Sequence, residues 1–175
     1  RDSTGGEGDI RPGEMQGMTA GRGIRHSESN ASPTAAVHLL QIWLEPTVLG
    51  LPPGYAQTNF PLSERQGRLR LVAARDGRDG ALKISAAAEV YVTNLTSPEE
   101  VTHVLAAGHH AWVQVARGTA VVNGVRLSAG DGLAISSESA VTLRGDVASE
   151  LLLASGFDKI DYIALCDAQN LAALT

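Results

Sequence analysis

The sequence predicts an all-β fold, on three observations. Apolar residues alternate with polar ones in short runs of about four to eight residues, as in Leu82-Lys83-Ile84-Ser85 and in Glu89 to Leu95, EVYVTNL. Turns rich in glycine separate those runs, among them Asn123-Gly124 and the two Asp-Gly pairs Asp76-Gly77 and Asp79-Gly80. Asn-Gly is the strongest short-range hairpin signal, because a type I′ turn needs positive φ at both central residues. Helical periodicity emerges only at the end, where Ile160, Ile163, Ala164, Leu171 and Leu174 form one stripe and Asp158 stands as a plausible N-cap.

In chain order, residues 1–9 read as a turn, and Ile10-Arg11-Pro12-Gly13 as a tight one, since Pro fixes φ and Gly accepts positive φ. Glu14 to Thr19 alternates weakly through Met15 and Met18, and Ala20 to Gly23 bends the chain again. Ile24 to Glu28 reads as extended. Val37 to Leu44, VHLLQIWL, is the first strongly apolar run and is expected as a mid-sheet strand. Residues 46–65 hold Pro46, Pro52, Pro53 and Pro61, a composition that predicts an extended linker over the surface. From Leu69 strands resume: LRLVAA, ALKISA, EVYVTNL, Val101 to Leu105, Ala111 to Ala116, the hairpin over 118–127, Leu133 to Ser136, Ala140 to Gly145 and Ser149 to Ser155. Short, closely spaced strands of this kind build a sandwich or barrel.

Composition narrows the function. The hydrophobic fraction is 43% and the net charge −5, enough for a core and wrong in sign for holding a phosphate backbone, so direct nucleic-acid binding is not expected. No apolar run reaches the roughly 20 residues that cross a bilayer, and no leader pattern opens the chain. The single cysteine, Cys166, forms no internal disulfide and fits a reducing, cytoplasmic setting. Arg1-Asp2-Ser3 reads as the middle of a longer sequence.

Candidate chemistry gathers at His26 and Glu28. Two residues apart on an extended segment, their side chains leave one face, and an imidazole beside a carboxylate suits iron, manganese, zinc or nickel better than calcium or magnesium. Such centres usually take three or four protein ligands, so one or two more must come from elsewhere. His109 and His110 are adjacent, and on a strand they would face opposite sides. His38 is expected as a hydrogen-bonded structural histidine at the start of a buried strand, and His103 alternates with Val101 and Leu105 without an evident partner. Asn30 is expected to cap a turn, while Gln16 and Met18 lie on the approach to His26.

The runs PGEMQGMTAGRGIRHSESN and HLLQIWLEP resemble the pirin family, bicupins that include quercetin 2,3-dioxygenase-like proteins. LRLVAARDG, EVYVTNL, AWVQVARG, VNGVRLSAGDG and SELLLAS resemble its second cupin, so the likeness covers about residues 1–155. It implies an all-β, jelly-roll bicupin with an incomplete N-terminal barrel (1–45), a Pro-rich linker (46–65), a C-terminal cupin (66–155) and a tail with a short helix (156–175). In the family three histidines and one glutamate hold iron in the first barrel. His26 and Glu28 fall where the last two lie, and a His-Pro-His segment on an earlier strand supplies the first two. The implied function is a metal-dependent flavonol 2,3-dioxygenase acting on quercetin-like small molecules. His26 and Glu28 would be metal ligands, and Glu28 would also take the substrate proton. The metal would be iron or another divalent transition metal if the site is completed, and otherwise none. Two other functions stay open: a non-catalytic binding or transcription-cofactor module, and a truncated cupin that self-associates as a homo-oligomer.

Overall fold

The computed structural model describes residues 2, 3 and 5–157. Among them β1 (Glu14–Thr19) pairs antiparallel with β2 (Gly54–Asn59), from Glu14 opposite Asn59 to Thr19 opposite Gly54. The proposed linker over 46–65 therefore contains a strand, and it also holds the short helix α1 (Leu62–Arg65). Its prolines stand outside these elements: Pro52 and Pro53 precede β2, and Pro61 N-caps α1. A proline before an element starts it without removing a ladder bond, which is why proline content alone misreads the segment.

Two sheets build the remainder. β3 (Arg70–Ala74), β4 (Leu82–Lys83), β5 (Glu89–Leu95), β7 (His110–Arg117), β10 (Gly132–Ile135) and β12 (Ser149–Phe157) form a six-stranded sheet in the order β10-β7-β12-β5-β3-β4. β6 (Glu100–Val104), β8 (Thr119–Val122), β9 (Val125–Ser128) and β11 (Ala140–Gly145) form a four-stranded sheet in the order β6-β11-β8-β9. Leu95, Val113, Val115, Leu151 and Leu153 from the first sheet meet Val122, Leu127, Val141 and Leu143 from the second in one buried cluster. Each fully buried Leu or Val contributes about 1.5–3 kcal/mol. The expected hairpin turn is present, with Asn123 at φ 44° and Gly124 at φ 83°.

The six-stranded sheet is covered on both faces. Leu152 and Ala154 of β12 point away from the barrel interior and join Phe60, Val72, Leu82 and Val90 in a second cluster, against which Met15, Leu40, Ile42 and Leu44 pack. That explains why β12 reads Leu-Leu-Leu-Ala rather than alternating: a strand buried on both faces has no polar side. It also accounts for Val37 to Leu44. The run forms no strand, with a single bridge position at His38, because Leu40, Ile42 and Leu44 pack, partly buried, on the sheet's face while Trp43 stays 64% exposed. Thr47 anchors its end by donating from N and Oγ1 to the Ser85 carbonyl at 2.7 and 3.0 Å. β12 runs through Phe157, two residues into the expected tail, and the helix expected over Asp158 to Leu174 lies outside the described residues. Among the described residues no helix is long and apolar enough to cross a membrane.

Candidate functional site

His26 is held by its neighbours' backbone. Asp2 forms an antiparallel bridge with His26, the Ser3 amide donates to the Arg25 carbonyl at 2.7 Å, and the Arg25 amide donates to Ser3 Oγ at 3.1 Å. Side chains two apart then leave one face, and His26 Nε2 lies 3.9 Å from Glu28 Oε1, with the two side chains 27% and 32% exposed. As an ion pair this contact adds little stability, being long and open to solvent. As a donor pair it is just within reach: two metal–ligand bonds sum to about 4.1 Å, and since neighbouring donors on a tetrahedral ion stand about 3.3 Å apart, a closing movement of about 0.6 Å brings both atoms onto one ion. One nitrogen and one oxygen donor suit a borderline divalent ion by chemistry. No group of three or more His, Cys, Asp or Glu able to hold a metal occurs among the described residues, so the pair contributes two protein donors.

The other expectations divide. Asn30 caps its turn, accepting from the Ser32 amide at 3.0 Å and donating to the Ala35 carbonyl at 2.6 Å. Gln16 and Met18 lie on β1 opposite Gln57 and Tyr55. His38 is exposed rather than buried, because the strand it was to begin does not form. His109 and His110 do not face apart: only His110 belongs to β7, whereas His109 sits in the preceding turn and its amide donates to the Ala106 carbonyl at 3.0 Å. Both residues line one depression.

His103 has partners that its sequence context does not reveal. Along β5, Glu89 and Tyr91 share the inward face with Leu95, and along β12 Ser155 shares it with Leu151 and Leu153. His103 Nε2 lies 2.9 Å from Ser155 Oγ, and its ring packs against Tyr91 at 4.9 Å between centroids. Tyr91 donates its hydroxyl to Glu89 Oε2 at 2.5 Å, and Arg78 donates to Glu89 Oε1 at 2.6 Å. Burial pushes the Tyr91 phenol up to about 12, reinforced by the bonded Glu89. Burial alone would raise Glu89, but the bonds from Tyr91 and Arg78 outweigh it and hold the carboxyl below its usual range. Burial lowers His103 below the ordinary 6.5, with Glu89 opposing in part. The one signal in the sequence was spacing: Glu89 and Tyr91 alternate in phase with Leu95, and His103 with Leu105.

A depressed imidazole makes stability depend on pH in one direction. Below about pH 6.5 the unfolded chain takes a proton that the folded chain resists, so stability is full above that value and falls on acidification. Half-exposure keeps the slope well under the one-proton limit of about 1.4 kcal/mol per pH unit. Urea midpoints between pH 7.5 and 5 should drop more for the wild type than for His103→Gln, and equal slopes would show that His103 takes no part.

The paired sheets, with small turns between short antiparallel strands, define a cupin-class β-sandwich, and the N-terminal segment packs on the outer face of its six-stranded sheet through Met15, Leu40, Ile42 and Leu44. Residues 71–155 match the quercetinase C-terminal cupin domain family, and residues 1–44 match the pirin family. The chain is 43% identical over 153 residues to a quercetin 2,3-dioxygenase of Escherichia coli strain K12, covering 87% of this chain and 65% of the relative. Crystal structures of E. coli YhhW are similar as well. One superposes with TM-score 0.85 at 40% identity, over 93% of this chain and 68% of that one. Another, the bacterial pirin YhhW in complex with nickel(II), gives 0.80 at 41%, over 87% and 65%. The protein described here belongs to the pirin family. It spans 65% of the length of the quercetin dioxygenase it matches.

Proposed function

We propose that this chain carries part of a divalent-metal flavonol dioxygenase centre, with His26 and Glu28 as metal ligands and Glu28 as the group that takes the substrate proton. The observation that carries the reading is the 3.9 Å spacing of His26 Nε2 and Glu28 Oε1 on one face of the chain. The similarity to a quercetin 2,3-dioxygenase and to a nickel-bound pirin supports the choice of substrate class and of a transition metal. Iron is the metal we assign, and a quercetin-like flavonol the substrate. When bound, the metal would act as a Lewis acid that favours the deprotonated flavonol hydroxyl. His26 fixes the ion's position through Nε2, and a Glu28 carboxylate oxygen accepts the hydroxyl proton, which needs hydrogen-bond reach of the substrate. Further donors come from outside this pair. In this reading residues 1–45 belong to the metal-type barrel and 66–155 to a second cupin that backs it, through Leu40, Ile42 and Leu44 on the six-stranded sheet.

The donor count favours a second reading, a binding module without turnover, since two protein donors stand among the described residues where three or four are usual. Metal content separates the two. After anaerobic loading with iron and desalting, the wild-type chain should keep metal that His26→Ala does not. Equal metal in both proteins, or none in either, rejects the dioxygenase centre and leaves the binding module.

A further inference from the structure

The second barrel has its own open end, and polar side chains line it where an apolar core would otherwise continue. β7, β10, β11 and β12 bring their ends together there: Ala111 lies opposite both Ile135 and Ser155, and His103 lies opposite Val141, two residues from Ser139. Between the turn at 105–110 and the turn at 136–139 is a depression of about 430 Å³, lined by Leu105, Ala107, His109, His110, Glu138 and Ser139, of which Leu105 is buried and the two histidines partly so. That volume is within the usual range for small-molecule sites, and barrel mouths are a preferred location. His110 is held in place, its Nδ1 2.8 Å from Ser136 Oγ. At the same end, inside the barrel, stand His103, Tyr91 and Ser155.

We propose that this mouth is a second small-molecule site, separate from His26 and Glu28, that takes a neutral hydroxylated aromatic ring. Leu105 and Ala107 offer an apolar surface for the ring. The Glu138 carboxylate, the imidazole nitrogens and the Ser139 hydroxyl offer acceptors for ligand hydroxyls. A carboxylate at the rim and a net charge of −5 oppose an anion. The rim lacks the set of three metal donors that an ion would need, since no such group occurs among the described residues. The site needs no metal and does not depend on the dioxygenase reading.

Catechol is a suitable probe, titrated by calorimetry into chelator-treated protein. Wild-type chain should bind it saturably at millimolar concentration. His109→Ala or Glu138→Gln, both near the surface and checked for folding by thermal melts, should weaken it about tenfold, the loss of about 1.4 kcal/mol. His26→Ala should bind as the wild type does. The proposal is overturned if no saturable binding occurs, if neither mouth variant weakens it about tenfold, or if His26→Ala weakens it equally.

Discussion

Glu28→Gln is expected to lower aerobic flavonol consumption by about 100- to 10,000-fold, the usual worth of a positioned proton acceptor, while leaving part of the metal in place. The amide keeps an oxygen donor of the same shape, so coordination survives in weakened form, but a neutral amide oxygen does not take the flavonol proton. His26→Ala removes the nitrogen donor itself and should cost metal and turnover together. The contrast between the two variants is informative because the side chains are 3.9 Å apart and share one face, so a change at either reaches the same ion. Flavonol absorbance followed under air, divided by metal content, gives turnover per bound ion. Should Glu28→Gln turn over as fast per ion as the wild type, Glu28 is a ligand only and the proton goes elsewhere.

Most of the second barrel was legible because its strands obey local rules. The alternation of EVYVTNL, the Asn123-Gly124 turn and the LLLA run of β12 each specify an element with little help from distant residues. What failed were segments whose state depends on what they dock against. Val37 to Leu44 carries strand propensity, yet burial on the face of the six-stranded sheet satisfied its apolar side chains without a ladder. β2 hid among prolines because its pairing partner β1 lies some forty residues earlier, a separation that composition does not register. The same limit applies to sites. His26 and Glu28 were visible because they are neighbours in sequence, whereas His103 meets Ser155 across 52 residues and Tyr91 across a strand crossing. A polar network assembled from three strands has no local word to announce it, only three in-phase alternations.

The largest stability effect is expected at Gly118, where one residue carries the chain from β7 in the six-stranded sheet to β8 in the four-stranded sheet. The return crossing, from β11 to β12, packs against it: the Asp146 amide donates to the Thr119 carbonyl and Thr119 Oγ1 to Asp146 Oδ2, both at 3.3 Å. Gly118 has φ 73°, and a Cβ placed on it would stand 2.0 Å from the Ala148 carbonyl oxygen and 2.9 Å from its carbon. Those atoms are backbone at the start of β12, so they cannot swing aside as a side chain would. Gly118→Ala therefore combines the left-handed cost of about 1–2 kcal/mol with an overpacking cost of about 1–3 kcal/mol. Gly124 provides the comparison, since it too has positive φ, at 83°, but nothing lies within 4 Å of its Cβ position. Gly124→Ala should lose only the first term. Urea unfolding with unchanged slope would measure the difference directly. Equal midpoints for the two alanine variants would mean that the crossing relaxes, and that the two sheets are less rigidly joined there than the contact with Ala148 implies.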